Sequence, residues 1–178
     1  EIGMSNWYPE DPEMYEDVQT RWQYENVGTK KSPEKRLQRL WHGSRDSART
    51  PVQWDDSENA GFTTGTPWIR LNGDYLECNA EGQMADRNSP FNYYKALIAL
   101  RKEFKSTLVY GDFKPLKTGD KTFCLYRTSK DNKFYIEMNL TEKWIRRPRH
   151  AEGMCVLSNY REPTDKLRPY EVNIYRIK

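Results

Sequence analysis

Residues 44–56, SRDSARTPVQWDD, concentrate side chains that bind polar ligands. Arg45 and Arg49 lie four positions apart among serine, aspartate and threonine, and Trp54 follows with two more acids. Each guanidinium presents its donors in a rigid fork that suits carboxylates, phosphates or vicinal hydroxyls. An indole can cover the apolar face of a sugar ring. These residue types fit a carbohydrate site, but they also fit a structural turn held by arginine and aspartate, and their spacing alone leaves both readings open.

A glycosidase needs two carboxylates, roughly 5–10 Å apart, beside the bond that it cuts. Neighbouring acids occur at three places, namely Asp11 with Glu13, Glu16 with Asp17, and Asp55 with Asp56. Because sequence neighbours point in different directions and acids beside turns usually cap backbone N–H groups, we interpret all three pairs as structural. The chain contains no GxSxG elbow and no Gly-rich phosphate loop, and its two histidines have no suitably spaced partner.

The composition excludes several classes of partner. The 29 basic and 26 acidic groups leave a net charge of only +3, so we expect no nucleic-acid partner. No stretch approaches the roughly 20 apolar residues of a membrane span, so we expect no membrane partner. The one basic run, residues 146–150, is interpreted as a solvated loop between strands.

The cysteine pattern bears on cofactors and compartment. Three cysteines, at positions 78, 124 and 155, are odd in number and show no CxxC spacing. They support neither a disulfide framework nor a zinc site, and we expect no metal and no cofactor. Free thiols are typical of a reducing compartment, which favours a cytoplasmic protein.

The first half of the chain predicts two helices and a long loop. One helix is expected at residues 13–26, where apolar side chains recur every four positions at Met14, Val18 and Trp22. Ser32 followed by Pro33 opens a second helix, whose apolar stripe contains Leu37, Leu40 and Trp41. Residues 44–88 show no sustained period, and a loop of such length is typically functional.

The second half predicts one strong helix and then strands. The helix covers residues 90–105, and its face contains Phe91, Tyr94, Leu97, Ile98, Arg101 and Phe104. After residue 106 the hydrophobic period changes to two. Strands are expected at 108–116, 121–128, 133–139, 152–158 and 170–177.

Several of these stretches resemble one enzyme family. Residues 43–72, GSRDSARTPVQWDDSENAGFTTGTPWIRLN, strongly resemble the segment after the catalytic centre in family 13 α-glucosidases, especially the oligo-1,6-glucosidase group. Trehalose-6-phosphate hydrolases and sucrose isomerases carry similar versions. EIGMSN is similar to the family's exit from barrel strand eight, and SPFNYYKALIALRKEF to its last barrel helix. LVYGDFKPL and LRPYEVNIYRIK are similar to the entry and the final strand of its C-terminal β domain.

The resemblance implies an α/β fold joined to an all-β one. Residues 1–105 would form the end of a (β/α)8 TIM barrel, with its rim loops and last helix, and residues 106–178 a small antiparallel β-sandwich. The family's catalytic Asp, Glu and Asp lie on barrel strands that precede the position matching Glu1. No catalytic residue is therefore expected in this chain, which would be inactive and poorly stable without the missing N-terminal half of the barrel as its partner.

The resemblance also implies substrate-binding residues. Arg45 matches the family arginine that pairs with an aspartate of the N-terminal half and binds the hydroxyls of the terminal glucose, and Arg49 and Asp46 match supporting positions. The implied activity is retaining hydrolysis of terminal α-1,6- or α-1,4-linked glucose from short oligosaccharides. Two alternatives remain open: a non-catalytic carbohydrate-binding or scaffold chain, and part of a trehalose-6-phosphate hydrolase. Residues 7–31 and 140–168 resemble the family least.

Overall fold

The computed structural model describes residues 1–148 and 153–177, in two compact units. The N-terminal unit is Glu1–Phe91 and the C-terminal unit is Asn92–Lys178. This division lies in the first turn of the long helix, whereas the domain boundary expected from the sequence lies after that helix, and the expected boundary stays a prediction. The end of the basic run, at residues 149 and 150, and the expected strand start at residue 152 lie outside the described residues.

The helices of the N-terminal unit are short. They are α1 (Val18–Asn26), α2 (Pro33–Leu40) and α3 (Ala80–Ala85). Single 3₁₀ turns occur at Pro12–Met14, Arg45–Ala48 and Gly73–Leu76, and the turn at Glu58–Gly61 has left-handed backbone at Asn59 and Ala60. The loop expected at residues 44–88 is thus confirmed as mainly irregular, although α3 was not predicted. Within the described ranges, no helix is long and apolar enough to cross a membrane.

The helix expected at residues 13–26 is wrong in its start and in its buried face. The chain is extended at Tyr15, and α1 begins only after Asp17, whose side chain accepts a hydrogen bond from the Thr20 N–H. Val18 is 79% exposed and Trp22 56%, while Thr20 is buried. The spacing of four was misleading because a helix cap interrupts it.

The second helix is confirmed. Ser32 Oγ accepts from the Lys35 N–H, and Pro33 occupies the first turn of α2, where its missing N–H costs nothing. The predicted stripe of α2 contributes to the core of this unit, which contains Trp7, Tyr15, Leu37 and Leu40 with Met14, Tyr24 and Trp41 packed against them. Residues that resemble the family poorly therefore supply part of a well-defined core.

The C-terminal unit is built on an antiparallel sheet. Helix α4 (Pro90–Glu103), which begins at the end of the N-terminal unit, and α5 (Lys105–Leu108) precede the strands. These are β1 (Asp112–Leu116), β2 (Thr122–Thr128), β3 (Lys133–Asn139), β4 (Ile145–Arg146), β5 (Met154–Ser158), β6 (Lys166–Leu167) and β7 (Val172–Ile177). Five strands pair in the order β1-β2-β3-β7-β5, and β4 pairs with β6. The five strands predicted from the sequence are present, β3 with the predicted bounds and the other four with shorter ones, and the β4–β6 pair was not predicted.

The two faces of the sheet have different chemistry. On one face Phe134 is fully buried, and its ring centroid lies 5.0 Å from that of Phe104. The other face carries the apolar and aromatic cluster of Cys124, Tyr135 and Tyr175. Fully buried Glu137 and Asn173 lie opposite each other on neighbouring strands of this second face. The interior is thus unusually polar and needs internal partners for its charges.

Arg147 supplies such a partner, which corrects the interpretation of residues 146–150 as a solvated loop. Its side chain is only 9% exposed, and it bonds to Glu137 and to the Tyr175 hydroxyl, with Glu171 3.7 Å away. A second arginine, Arg168, donates from Nε to Glu171 over 2.9 Å. The run of basic residues is solvated at Arg146 but not at Arg147.

Candidate functional site

The arginine-rich stretch at residues 44–56 begins with one tight turn. Ser44 caps the 3₁₀ helix Arg45–Ala48, accepting at Oγ from the Asp46 N–H over 3.2 Å. The Arg49 N–H donates to the Asp46 carbonyl over 2.9 Å and closes the turn. Because of this turn, Arg45 and Arg49 point to the same neighbouring carboxylate.

That carboxylate is Asp17. Its Oδ1 accepts from Arg45 Nε over 3.1 Å and from Arg45 Nη2 over 2.6 Å. Arg49 Nη1 lies 3.8 Å from the same oxygen, within range of an ion pair. One oxygen of Asp17 thus contacts two guanidinium groups, one from each end of the turn.

The second oxygen of Asp17 holds the start of α1. Asp17 Oδ2 accepts from the Thr20 N–H over 3.0 Å and from Thr20 Oγ1 over 2.7 Å. Thr20 Oγ1 also lies 3.1 Å from Ser44 Oγ, which is the cap of the arginine turn. The caps of two separate elements are therefore connected through Thr20.

Asp46 secures the backbone beneath this carboxylate. It is buried, and its Oδ2 accepts from the Glu16 N–H over 2.7 Å and from the Asp17 N–H over 3.0 Å. A carboxylate that receives two backbone N–H groups holds the chain at a fixed distance. The chain before α1 and the arginine turn are thus joined at two points, one through Asp46 and one through Asp17.

The cluster has a buried anion under two half-exposed cations. The side chain of Arg45 is 56% exposed and that of Asp17 only 5%. Burial would raise the pKa of Asp17, but hydrogen bonds from Thr20 and Arg45 outweigh it and hold the pKa below its usual range. The carboxylate is therefore ionised at neutral pH, and the two guanidinium groups above it present positive charge to solvent. Such a surface can bind hydroxyl-rich or anionic ligands.

The other candidate residues have separate roles. Trp54 is half exposed, and its backbone is bonded to Ala60 and Glu81 rather than to the arginine cluster. Asp55 accepts from the backbone and hydroxyl of Ser57, and Asp11 accepts from the Glu13 N–H. The interpretation of Asp11, Asp17 and Asp55 as turn and helix caps is confirmed.

Asp17 is the residue that sequence reasoning missed as a partner of Arg45. The structure pairs Arg45 with Asp17 of this chain, and the pairing with an aspartate of the N-terminal half that the resemblance implied stays a prediction. A local signal was available, because Asp17 precedes Val18 and Thr20 in a pattern typical of a helix cap. Asp17 lies 28 residues before Arg45, so no local sequence pattern predicts that these two side chains form a pair.

Comparison with known proteins identifies the family. The family model described as the catalytic domain of alpha amylase matches residues 1–111. The chain therefore belongs to the alpha-amylase family of glycoside hydrolases, family 13, as the resemblance implied. Within it, the chain is 38% identical to the oligo-1,6-glucosidase of Parageobacillus thermoglucosidasius, over 100% of this chain and 34% of that protein. It is 35% identical to the trehalose-6-phosphate hydrolase of Bacillus subtilis, over 99% of this chain and 34% of that protein.

Solved structures agree with the sequence relatives. The trehalose-6-phosphate hydrolase of Bacillus licheniformis superposes with a TM-score of 0.86 at 31% identity, over 98% of this chain and 34% of that one. The isomaltulose synthase of Protaminobacter rubrum superposes with a TM-score of 0.88 at 29% identity, over 99% of this chain and 34% of that one. The chain thus spans about a third of the length of the proteins that it matches.

Proposed function

We propose that this chain is the C-terminal portion of a retaining α-glucosidase of the oligo-1,6-glucosidase type. Its substrates are short oligosaccharides with a terminal α-1,6- or α-1,4-linked glucose. The observation that carries the proposal is the pair of half-exposed guanidinium groups held over buried Asp17, inside the segment that resembles the oligo-1,6-glucosidases. The enzyme acts in the cytoplasm, which the free thiols of Cys78, Cys124 and Cys155 support.

The proposed architecture follows the family. Residues 1–105 form the end of a TIM barrel and residues 106–178 an antiparallel β-sandwich, and the preceding barrel strands belong to an N-terminal part of the same enzyme. Helix α4 supports this arrangement because none of its 14 residues is buried, although its sequence carries an apolar face. A helix of that kind fits the outer layer of a barrel whose strands it covers.

The chemistry is divided between the two parts. In a retaining glycosidase one carboxylate attacks the sugar, another protonates the leaving oxygen, and water then releases the product. Those carboxylates lie in the N-terminal part. In this chain, Arg45 donates charge-assisted hydrogen bonds to the hydroxyls of the terminal glucose and fixes the sugar ring at the chain end. Arg49 and Asp46 support the turn that carries Arg45.

Replacing Arg45 by alanine in the complete enzyme tests the proposal. The loss of charge-assisted bonds to the sugar should lower kcat/KM by a factor that corresponds to roughly 1.5–3 kcal/mol. Arg39→Ala, an exposed arginine on α2, is the matched control and should leave kcat/KM unchanged. Equal kinetics for Arg45→Ala and wild type would contradict the role of Arg45 in binding sugar.

A second candidate is favoured by the superposition on a trehalose-6-phosphate hydrolase. The two candidates differ in whether the substrate carries a phosphate. Initial rates for an α-1,6-linked glucose disaccharide and for trehalose 6-phosphate, measured side by side on the complete enzyme, decide between them. We expect the disaccharide to be hydrolysed faster, and the reverse preference would establish the second candidate.

A further inference from the structure

The carboxylate of Asp17 performs two tasks at once. One oxygen receives the N–H and the hydroxyl of Thr20 at the start of α1, and the other receives Nε and Nη2 of Arg45. Asp46 Oδ2 accepts from the backbone N–H groups of Glu16 and of Asp17 itself. The Asp17 carboxylate is therefore held in place by the N–H and the hydroxyl of Thr20 and by the Asp46 bonds to the backbone, independently of Arg45.

A fixed anion determines where Arg45 points. A free arginine side chain samples many rotamers, and an exposed one loses much conformational entropy when a ligand binds it. The guanidinium is planar, so holding its Nε–Nη2 edge sets the direction of its remaining edge. Because the side chain is 56% exposed and Asp17 occupies its Nε–Nη2 edge, we expect the remaining edge to be the one available to solvent and to a bound sugar.

We propose that Asp17 is a positioning residue for sugar binding, which acts through Arg45 and sets the orientation of its free donors. This inference rests on the proposed function, in which Arg45 binds the terminal glucose. Asp17 itself does not touch the substrate. The ion pair between them is a means of pre-organising the site rather than only a bond that stabilises the fold.

Asp17→Asn separates the two tasks of the side chain. Asparagine caps helices about as well as aspartate, so the bonds to Thr20 and the start of α1 should persist. The negative charge that holds Arg45 is lost. Since small misplacements of a binding group can cost on the order of a hundredfold, we expect kcat/KM of the complete enzyme to fall by about tenfold to a hundredfold.

A double-mutant cycle with Arg45→Ala distinguishes positioning from a general structural effect. If Asp17 acts through Arg45, Asp17→Asn lowers kcat/KM in the wild-type background and has no further effect in the Arg45→Ala background. Asp11→Asn also removes the charge of a capping aspartate, but Asp11 caps its turn by accepting from the Glu13 N–H and not from an arginine. This variant should therefore be neutral in both backgrounds.

The outcomes separate the two proposals. If Arg45→Ala leaves kcat/KM unchanged, the proposed function is contradicted, and the inference about Asp17 with it. If Arg45→Ala lowers kcat/KM but Asp17→Asn has no effect, or has the same effect in both backgrounds, the inference is overturned and the proposed function stays intact.

If Asp17→Asn does not fold, Thr20→Val replaces it in the same cycle. That variant removes only the hydroxyl that steadies Asp17 and should show a severalfold loss with the same dependence on Arg45.

Discussion

Arg45 and Arg147 are both paired with carboxylates, but in opposite surroundings. Arg45 keeps half of its surface in solvent, as a group that contacts a ligand must. Arg147 is enclosed with Glu137 and Glu171, both fully buried. A pair whose cation is half in solvent is screened and adds less to stability than an enclosed pair, whose carboxylate would be left as an uncompensated charge in the interior if its cation were lost. We therefore predict that replacing Arg45 affects mainly the binding of sugar and that replacing Arg147 affects mainly the stability of the fold.

Removing Arg147 should destabilise the C-terminal unit strongly. Arg147→Ala leaves Glu137 without its cation in the interior, and we expect the free energy of unfolding to fall by about 3–5 kcal/mol. Arg146→Ala, at the exposed neighbouring position, is the control and should change stability little. Chemical denaturation of the complete enzyme, followed by circular dichroism, measures both changes. Similar stability for the two variants would contradict the enclosed ion pair.

The pair between Arg45 and Asp17 should make stability sensitive to acid. The pKa of Asp17 lies below its ordinary value of 3.8 because hydrogen bonds from Thr20 and Arg45 overcome the effect of burial. A carboxyl whose pKa is lower in the folded state stabilises that state above its unfolded pKa, and this contribution disappears as the pH falls through the folded pKa. The difference in Tm between wild type and Asp17→Asn should therefore be constant above about pH 5 and shrink towards about pH 3. A difference that persists unchanged at the lowest pH would contradict this assignment.

Single residues also show where sequence reasoning ends. Arg45 could be singled out because its neighbours are polar and its motif is specific. Arg147 was misinterpreted, since its partners are distant in sequence: Glu137 lies on β3 and Glu171 directly precedes β7, and only the folded sheet brings them together. Charge and neighbours predict exposure for most arginines, but a buried arginine is defined by long-range contacts that a local pattern does not contain.

At the scale of elements, helices and strands were predicted correctly where the apolar pattern and the cap or turn residues agreed with each other. Helix α2 was predicted because Ser32, Pro33 and its apolar stripe agree with one another. Strand β3 was predicted with its observed bounds because turn residues flank it on both sides. Helix α1 was misplaced because apolar spacing and capping signals disagree there, and the cap at Asp17 prevailed. The pairing of β4 with β6 escaped prediction since two-residue strands carry no period.

The connection between α5 and β1 depends on a glycine. A Cβ at Gly111 would lie 2.5 Å from the carbonyl oxygens of both Thr107 and Thr128, which are backbone atoms that cannot move aside. We expect Gly111→Ala to destabilise the protein by about 1–3 kcal/mol through this overpacking. Gly73→Ala is the matched control, because nothing lies within 4 Å of its Cβ position. Equal melting temperatures for the two variants would contradict the close approach at Gly111.

At the scale of the whole molecule, apolar surface is poorly covered. Helix α4 contains no buried residue, and Tyr94 and Ile98 of its apolar face are 47% and 41% exposed. Large side chains of the N-terminal unit are also exposed, among them Trp68 and Leu76. An apolar helix face that is left in solvent, as on α4, is typical of an interface. In the proposed enzyme, the N-terminal part of the barrel covers it.

This surface leads to a prediction about the 178-residue chain by itself. A β unit of about 70 residues has marginal burial of its own, and α4 adds apolar area that only a barrel would remove from water. We expect the isolated chain to melt over a broad range and to increase the fluorescence of a dye that binds exposed apolar surface. The complete enzyme, measured under identical conditions by circular dichroism and dye fluorescence, should melt sharply and bind little dye. A cooperative melt with low dye binding for the isolated chain would mean that these exposed side chains do not need a barrel to cover them, and the proposed division of the enzyme would lose its energetic support.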